Sequence, residues 1–287
     1  MTYRSIFAPG LFAGQVAIVT GGGSGIGRCT AHELAALGAT VALVGRKADK
    51  LAAVRAEIEA AGGQASTHVC DIREEDRVAQ AVAAVLAAHG RIDALVNNAG
   101  GQYPSPLAAI KAKGWDAVLR TNLTGGFLMA RECYVQWMEA HGGAVVNIIA
   151  DIWMGMPGMA HSGAARAGML NFTETAALEW APVRFNAIAP GWIASSGMDH
   201  YPPEMGPLIR NMAKMVPARR LGTESEVSAA IVFLLSPAAA FISGACLRVD
   251  GAAPNAKRVW PVVGTGVSPA PFDGFHLAST PRVLRES

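Results

Sequence analysis

The stretch QVAIVTGGGSGIG (15–27) constrains this chain most. An apolar, β-branched run with strand character passes straight into glycines, and the glycines open a helix that Gly38 stops. A chain that turns from strand to helix in so few residues cannot carry Cβ atoms at its closest points. The free N–H groups at the start of such a helix favour an anion at the turn. TGGGSGIG (20–27) is therefore expected to cradle the phosphates of a nucleotide rather than serve only as a tight turn.

The same strand pattern recurs in ATVALVGR (39–46), STHVCDI (66–72), IDALVNNAG (92–100), GAVVNII (143–149), VRFNAIAPG (183–191) and ACLRVDG (245–251). Helical patterns run between them, over 25–37, 50–63, 78–90, 114–137, 162–180 and 224–236. Strands alternating with helices predict βαβ units. The expected fold is a single doubly wound α/β domain over residues 1–252, with seven parallel strands and helices on both faces. Residues 253–287 are rich in Pro and Gly and read as an irregular tail, laid over the domain or over a neighbouring subunit.

Composition narrows the function. With 51% hydrophobic and 16% charged residues, the chain has ample material for a core. A net charge of +2 without a basic run argues against nucleic acid as a partner. Mean hydropathy is +0.28, yet every long apolar stretch is interrupted by Gly, Pro or charge, so no membrane span is expected. The opening MTYRSIFAPGLFAGQ lacks the apolar core of a signal peptide and the ending RES is no peroxisomal address, which together suggest a cytoplasmic protein. Cys29, Cys70, Cys133 and Cys246 are scattered and read as reduced thiols. The seven histidines show no ligand spacing, so no metal is expected.

The second strand ends VGRK. Free ribose hydroxyls would call for an acidic residue there, whereas Arg46 and Lys47 suit a 2′-phosphate. NADPH is favoured over NADH, the alternative being that Arg46 is a solvated charge at a helix start. Asp71 and Ile72 are expected to flank the adenine, unless Asp71 is the N-cap of the next helix.

TGGGSGIG, NNAG (97–100), Asn122 in LRTNLTG and NAIAPG (186–191) together resemble the short-chain dehydrogenase/reductase family across nearly the whole chain. The resemblance implies a Rossmann domain that assembles as a dimer or tetramer. It also implies cofactor contacts from Gly21, Ser24, Gly25, Ile26 and Gly27, from Asn98, Ala99 and Gly100, from Arg166, and from Pro190, Gly191 and Ile193. The helices over 114–137 and 162–180 pair across subunits in the family. The segment between Pro190 and Arg220 corresponds to the family's substrate lid, about 192–220, and its Met content suits an alkyl chain. Arg219 and Arg220 suit a CoA phosphate, or are a solvated pair. A narrower resemblance, carried by APGLFAGQVAIVTGG, NNAGGQYPSP, HGGAVVNII, HSGAARAG and FLLSPAAAFISG, is to the peroxisomal trans-2-enoyl-CoA reductases and their bacterial relatives. Those enzymes are similar to the 2,4-dienoyl-CoA reductases. Without the peroxisomal ending, the match points to a bacterial, cytosolic relative.

HSGAARAG (161–168) departs from the family pattern. Aligned with it, Ser162 stands at the position of the family's catalytic tyrosine and Arg166 at that of its lysine. Ala150 falls where a serine belongs, Asp151 follows it, and Asn122 alone is unchanged. A guanidinium holds a field but does not shuttle a proton, and a serine lacks a phenol's acidity. Reduction of an enoyl thioester asks less of an acid, because charge gathers first on the thioester oxygen. Asn122, Ser162 and His161 are candidate donors to that oxygen, Arg166 adds positive field, and Asp151 is the candidate proton relay. The plainer alternatives are a loop cap for Asp151, a satisfied core ring for His161, a helix N-cap for Ser162 and loop packing for Tyr103 and Tyr201. Three functions follow: an NADPH-dependent reductase of 2-enoyl thioesters, an acyl-CoA being the expected substrate; a dehydrogenase or reductase of alcohols and carbonyls such as acyclic terpenoids or 3-ketoacyl groups; and a decayed, non-catalytic nucleotide binder.

Overall fold

Seven strands form one sheet in the order β3-β2-β1-β4-β5-β6-β7, and every pairing is parallel. They are β1 (Val16–Thr20), β2 (Thr40–Gly45), β3 (Gln64–Val69), β4 (Ala94–Asn97), β5 (Ala144–Ile148), β6 (Arg184–Pro190) and β7 (Cys246–Val249). The computed structural model describes residues 2–255 and 268–285. The doubly wound fold expected from the alternating pattern is the observed one. Strand order reverses between β1 and β4, which opens a crevice at the carboxyl ends of those two strands.

Apolar periodicity explains the layers. Helices α1 (Gly25–Ala36) and α2 (Ala48–Ala60) lay Leu34, Leu51, Val54 and Ile58 on one face of the sheet. α3 (Glu75–His89) covers the other face with Val78, Val82 and Val85. Next come α4 (Ala112–Leu119), α5 (Gly125–Cys133) and α6 (Glu139–His141), a run of helix widened by π-helical turns at Arg120–Thr124 and Tyr134–Met138. Asn122 lies in the first of these turns, a backbone irregularity often found at functional sites. α7 (Ala160–Glu179) carries HSGAARAG in its first turns.

Some boundaries differ from the sequence reading. β3 ends at Val69 rather than reaching Ile72, and the next helix takes Glu74 as its N-cap, not Asp71. Asp71 instead accepts from the backbone N–H of Arg73 (3.1 Å) and pairs with its guanidinium. α7 begins before Ser162, with Met159 as N-cap, so Ser162 is no cap. The lid contains a helix that the sequence pattern did not assign, α8 (Gly206–Met215), between β6 and α9 (Glu224–Leu235). Its Ile209 and Met212 pack with Met198 against Val283 and Leu284 of the one-turn helix α10 (Arg282–Arg285). Met198 and Met212 therefore form the lid's own small core and are not available to an alkyl chain. Arg220 is likewise taken: it forms a bidentate pair with Glu226 (2.8 and 2.6 Å).

Of the tail, residues 256–267 and 286–287 lie outside the described residues. Its described part lies over its own domain. Arg4 N donates to Gly274 O (2.9 Å), and Phe275 is buried beside Tyr3 and Cys29. Among the described residues no helix is long and apolar enough to cross a membrane.

Candidate active site

Two turns build the nucleotide end of the crevice. Gly21 and Gly25 adopt left-handed backbone, φ +66° and +58°. A Cβ on Gly27 would stand 2.5 Å from Gly21 O, so the helix can press against the turn only without a side chain. Ser24 is the N-cap of α1 and makes no side-chain capping bond, which leaves the first-turn N–H groups of Gly25, Ile26 and Gly27 to an anion. The turn is braced from β4. Asn98 Nδ2 donates to Thr20 O (3.0 Å), while the N–H groups of Asn98 and Ala99 both donate to Thr20 Oγ1 (3.0 and 2.9 Å). Thr20 is thus a bracing residue that motif reading passed over. A cleft of about 250 Å³ adjoins the turn, lined by Ser24, Arg28, Lys50, Ser196, Glu224 and Ser279 among others. This cradle fits the phosphates of a dinucleotide.

Arg46 and Lys47 are exposed at the end of β2, and the charge of Arg46 reaches Asp71. Asp71 is held below the usual carboxylate range chiefly by its hydrogen bonds from Arg73. Ile72 does not stand free. It is buried against α5, where a Cβ on Gly125 would lie 2.6 Å from its side chain. Pro190 pairs with Val249 at the end of β6, Gly191 N donates to Val249 O (2.9 Å), and Ile193 bridges to Gly222.

Asn122 and Arg166 meet at Gly100. A Cβ there would stand 2.6 Å from Arg166 Nη2 and 2.8 Å from Asn122 Oδ1, so the glycine admits both side chains. Asn122 Nδ2 donates to Gly101 O (2.6 Å) and Val118 O (2.9 Å), and Asn122 Oδ1 accepts from Gly101 N (3.1 Å). Its amide locks the loop after β4 to the π-turn. Arg166 Nη1 donates to Ile148 O (2.5 Å), while its Nε is buried without a partner among the described residues. Desolvation pushes the guanidinium down to about 10, so it stays charged at neutral pH.

The other candidates are not on the open surface. His161 and Ser162 are both 0% exposed. His161 Nδ1 accepts from Ser162 N (2.9 Å), its ring meets that of Tyr103 edge-on at 4.6 Å, and its Nε2 has no partner among the described residues. The Ser162 hydroxyl donates to Gln102 Oε1 (2.6 Å), and Gln102 Nε2 donates to the Tyr201 hydroxyl (3.1 Å). Gln102, absent from the sequence-based set, thus joins α7 to the lid. The Asp151 carboxyl is pushed up by burial; its charged neighbours are Asp250 and Arg248 of the β7 end, and its Oδ1 has no hydrogen-bond partner among the described residues.

A family model described as Enoyl-(Acyl carrier protein) reductase matches residues 21–252. The peroxisomal 2,4-dienoyl-CoA reductase of Rattus norvegicus is 34% identical over 255 residues, 87% of each chain. A 3-oxoacyl-[acyl-carrier-protein] reductase of Synechocystis is 39% identical over 242 residues, 83% of this chain and 96% of that one. The solved structure of a citronellol catabolism dehydrogenase of Pseudomonas aeruginosa is 61% identical, with a TM-score of 0.80, and covers 88% of this chain and 100% of its own. The chain belongs to the short-chain dehydrogenase/reductase family, an oxidoreductase family whose fold implies a nicotinamide dinucleotide cofactor.

Proposed function

We propose that the protein is an NADP-dependent reductase of the C=C bond of 2-enoyl thioesters carried on CoA. One observation carries this reading: Ser162, without exposed surface, and the half-buried Arg166 stand where we align the family's tyrosine and lysine. A dinucleotide lying along the glycine turn would supply hydride. Ketone reduction needs a proton on oxygen as hydride arrives. Conjugate reduction first needs the charge on the thioester oxygen stabilised, and a fixed cation such as Arg166 meets that need. Asn122 contributes by locking the loop at Gly100 and Gly101 against the cation. The exposed Arg46 and Lys47 support NADP over NAD. Dienoyl-CoA reductases among the relatives support the substrate class.

A second reading, oxidation of acyclic terpenoid alcohols or reduction of their carbonyls, is favoured by the 61% identity to the citronellol catabolism dehydrogenase. The two are separated by following NADPH oxidation with trans-2-enoyl-CoA beside matched 3-ketoacyl-CoA, and NADP reduction with citronellol. Turnover of the enoyl thioester alone supports the first reading; turnover of citronellol alone replaces it with the second. We further propose a homo-oligomer, supported by Leu178 on α7 and Phe241 next to β7, which are 82% and 105% exposed. Light scattering that returns the monomer mass would contradict this.

A further inference from the structure

Conjugate reduction leaves the α-carbon in need of a proton. The polar side chains at the start of α7 do not meet a substrate directly, because His161 and Ser162 have no exposed surface. Ser162 instead reaches Gln102, an exposed residue whose Oε1 accepts the serine hydroxyl hydrogen at 2.6 Å. Gln102 then donates its own amide hydrogen to the oxygen of Tyr201 at 3.1 Å. Both bonds run in the same direction, from serine to amide and from amide to phenol. The phenolic O–H is left as the terminal donor, one amide group away from position 162. Each bond in such a chain polarises the next. Of the three groups, the phenol is the one suited to giving up a proton and regaining it from water. Tyr201 is half-buried, in the lid between the turns Ser196–His200 and Pro203–Met205. Asp151, the competing acid, has Asp250 and Arg248 as its charged neighbours rather than this array.

We propose that Tyr201, carried by the lid and aimed by Gln102, is the proton donor that replaces the missing helix tyrosine. This rests on the reading of the protein as an enoyl-thioester reductase. A reduced dinucleotide held along the glycine turn would supply hydride to the β-carbon, which would send the π electron pair toward the thioester oxygen. The α-carbon then takes the phenolic proton of Tyr201; the O–H bond breaks, the new C–H bond forms, and water reprotonates the phenolate. Gln102 is a positioning residue in this scheme.

The test compares wild type, Tyr201→Phe and Gln102→Ala with trans-2-enoyl-CoA and NADPH in D₂O. Tyr201→Phe should lower kcat roughly 100-fold or more, the scale of a lost general acid. KM should stay within about threefold, since ground-state contacts remain. Gln102→Ala should lose about tenfold, because the phenol is present but no longer aimed. The product carries a second signature: deuterium on one face of the α-carbon in wild type, and on both faces in Tyr201→Phe. NADPH binding, read by fluorescence, should be the same in all three and shows that each is folded. Unchanged kcat with single-face labelling in Tyr201→Phe overturns the assignment of Tyr201. So does loss of single-face labelling in Asp151→Asn while Tyr201→Phe keeps it. No turnover by wild type overturns the enoyl-thioester reading itself, and the donor with it.

Discussion

Gly100 has no side chain because two others need its space. A methyl group there would press on Arg166 Nη2 and Asn122 Oδ1, at 2.6 and 2.8 Å. Gly100→Ala should therefore displace the cation and the loop together. We expect a loss in kcat/KM on the order of 100-fold, the scale of a small misplacement at a reacting centre. The same overpacking should cost about 1–3 kcal/mol in urea unfolding. A variant with wild-type kinetics would show that Arg166 and Asn122 need not lie so close. Arg166→Ala should abolish most NADPH turnover while the unfolding midpoint persists; an unaffected rate would remove Arg166 from the site. At this scale the sequence was partly legible. Asn122 and Arg166 were singled out by position in a motif, and the structure brings both side chains to one glycine. Gln102 was not found, because its hydrogen bond to Ser162 spans 60 residues and no local spacing announces it. His161 and Ser162 were candidate donors or structural residues, and motif position does not announce that both lie without exposed surface.

At the level of elements, α9 shows how a short motif sets a boundary. Thr223 Oγ1 accepts from Glu226 N (3.2 Å) and the Glu226 carboxylate accepts from Thr223 N (2.9 Å), a reciprocal capping box. Thr223 Oγ1 also donates to Phe272 O of the tail (2.8 Å). Thr223→Ala should cost about 1–2 kcal/mol, measured by urea unfolding. Glu224, the first residue of this helix, is pushed up to about 7 by burial beside the glycine turn. The unfolded chain loses that proton near pH 4.3 or so, while the folded chain keeps it to about 7. The folded state therefore binds more protons across this window, and stability falls as pH rises through it. Glu224→Gln should restore up to about 3 kcal/mol at pH 8 and almost nothing at pH 4. Equal effects at the two pH values would contradict the burial argument. Strands with both faces buried were easy to read from their apolar runs. β3, at the sheet edge and only half-buried, was read with its end too late. α8 was missed because Gly, Pro and Met in its sequence masked the pattern that Ile209 and Met212 make against α10.

Across the whole molecule, the tail ties distant parts together. Asp199 of the lid accepts from the N–H groups of Arg282 and Val283 (3.1 and 3.0 Å), and these bonds hold its carboxyl below the usual range. Farther back the tail passes the α9 cap and buries Phe275 against the N-terminal arm, with Leu277 and Ser279 lining the cleft at the glycine turn. Composition marked residues 253–287 as irregular, but only the fold shows that their described part links lid to nucleotide turn. The doubly wound sheet was legible throughout, since alternating periods of strand and helix leave few other topologies. The chemistry was less so, because one scaffold serves many reactions and the residues at 162 and 166 do not by themselves name a proton donor. The central claim is that hydride goes to a conjugated carbon. It is tested most directly by supplying NADPH deuterated at the transferred position to a mixture of trans-2-enoyl-CoA and an α,β-unsaturated acyclic terpenoid aldehyde, then locating the label by NMR. The account predicts deuterium on the β-carbon of the saturated thioester. Deuterium on a carbinol carbon would mean that the protein reduces carbonyls, with the proton delivered to oxygen rather than to an α-carbon.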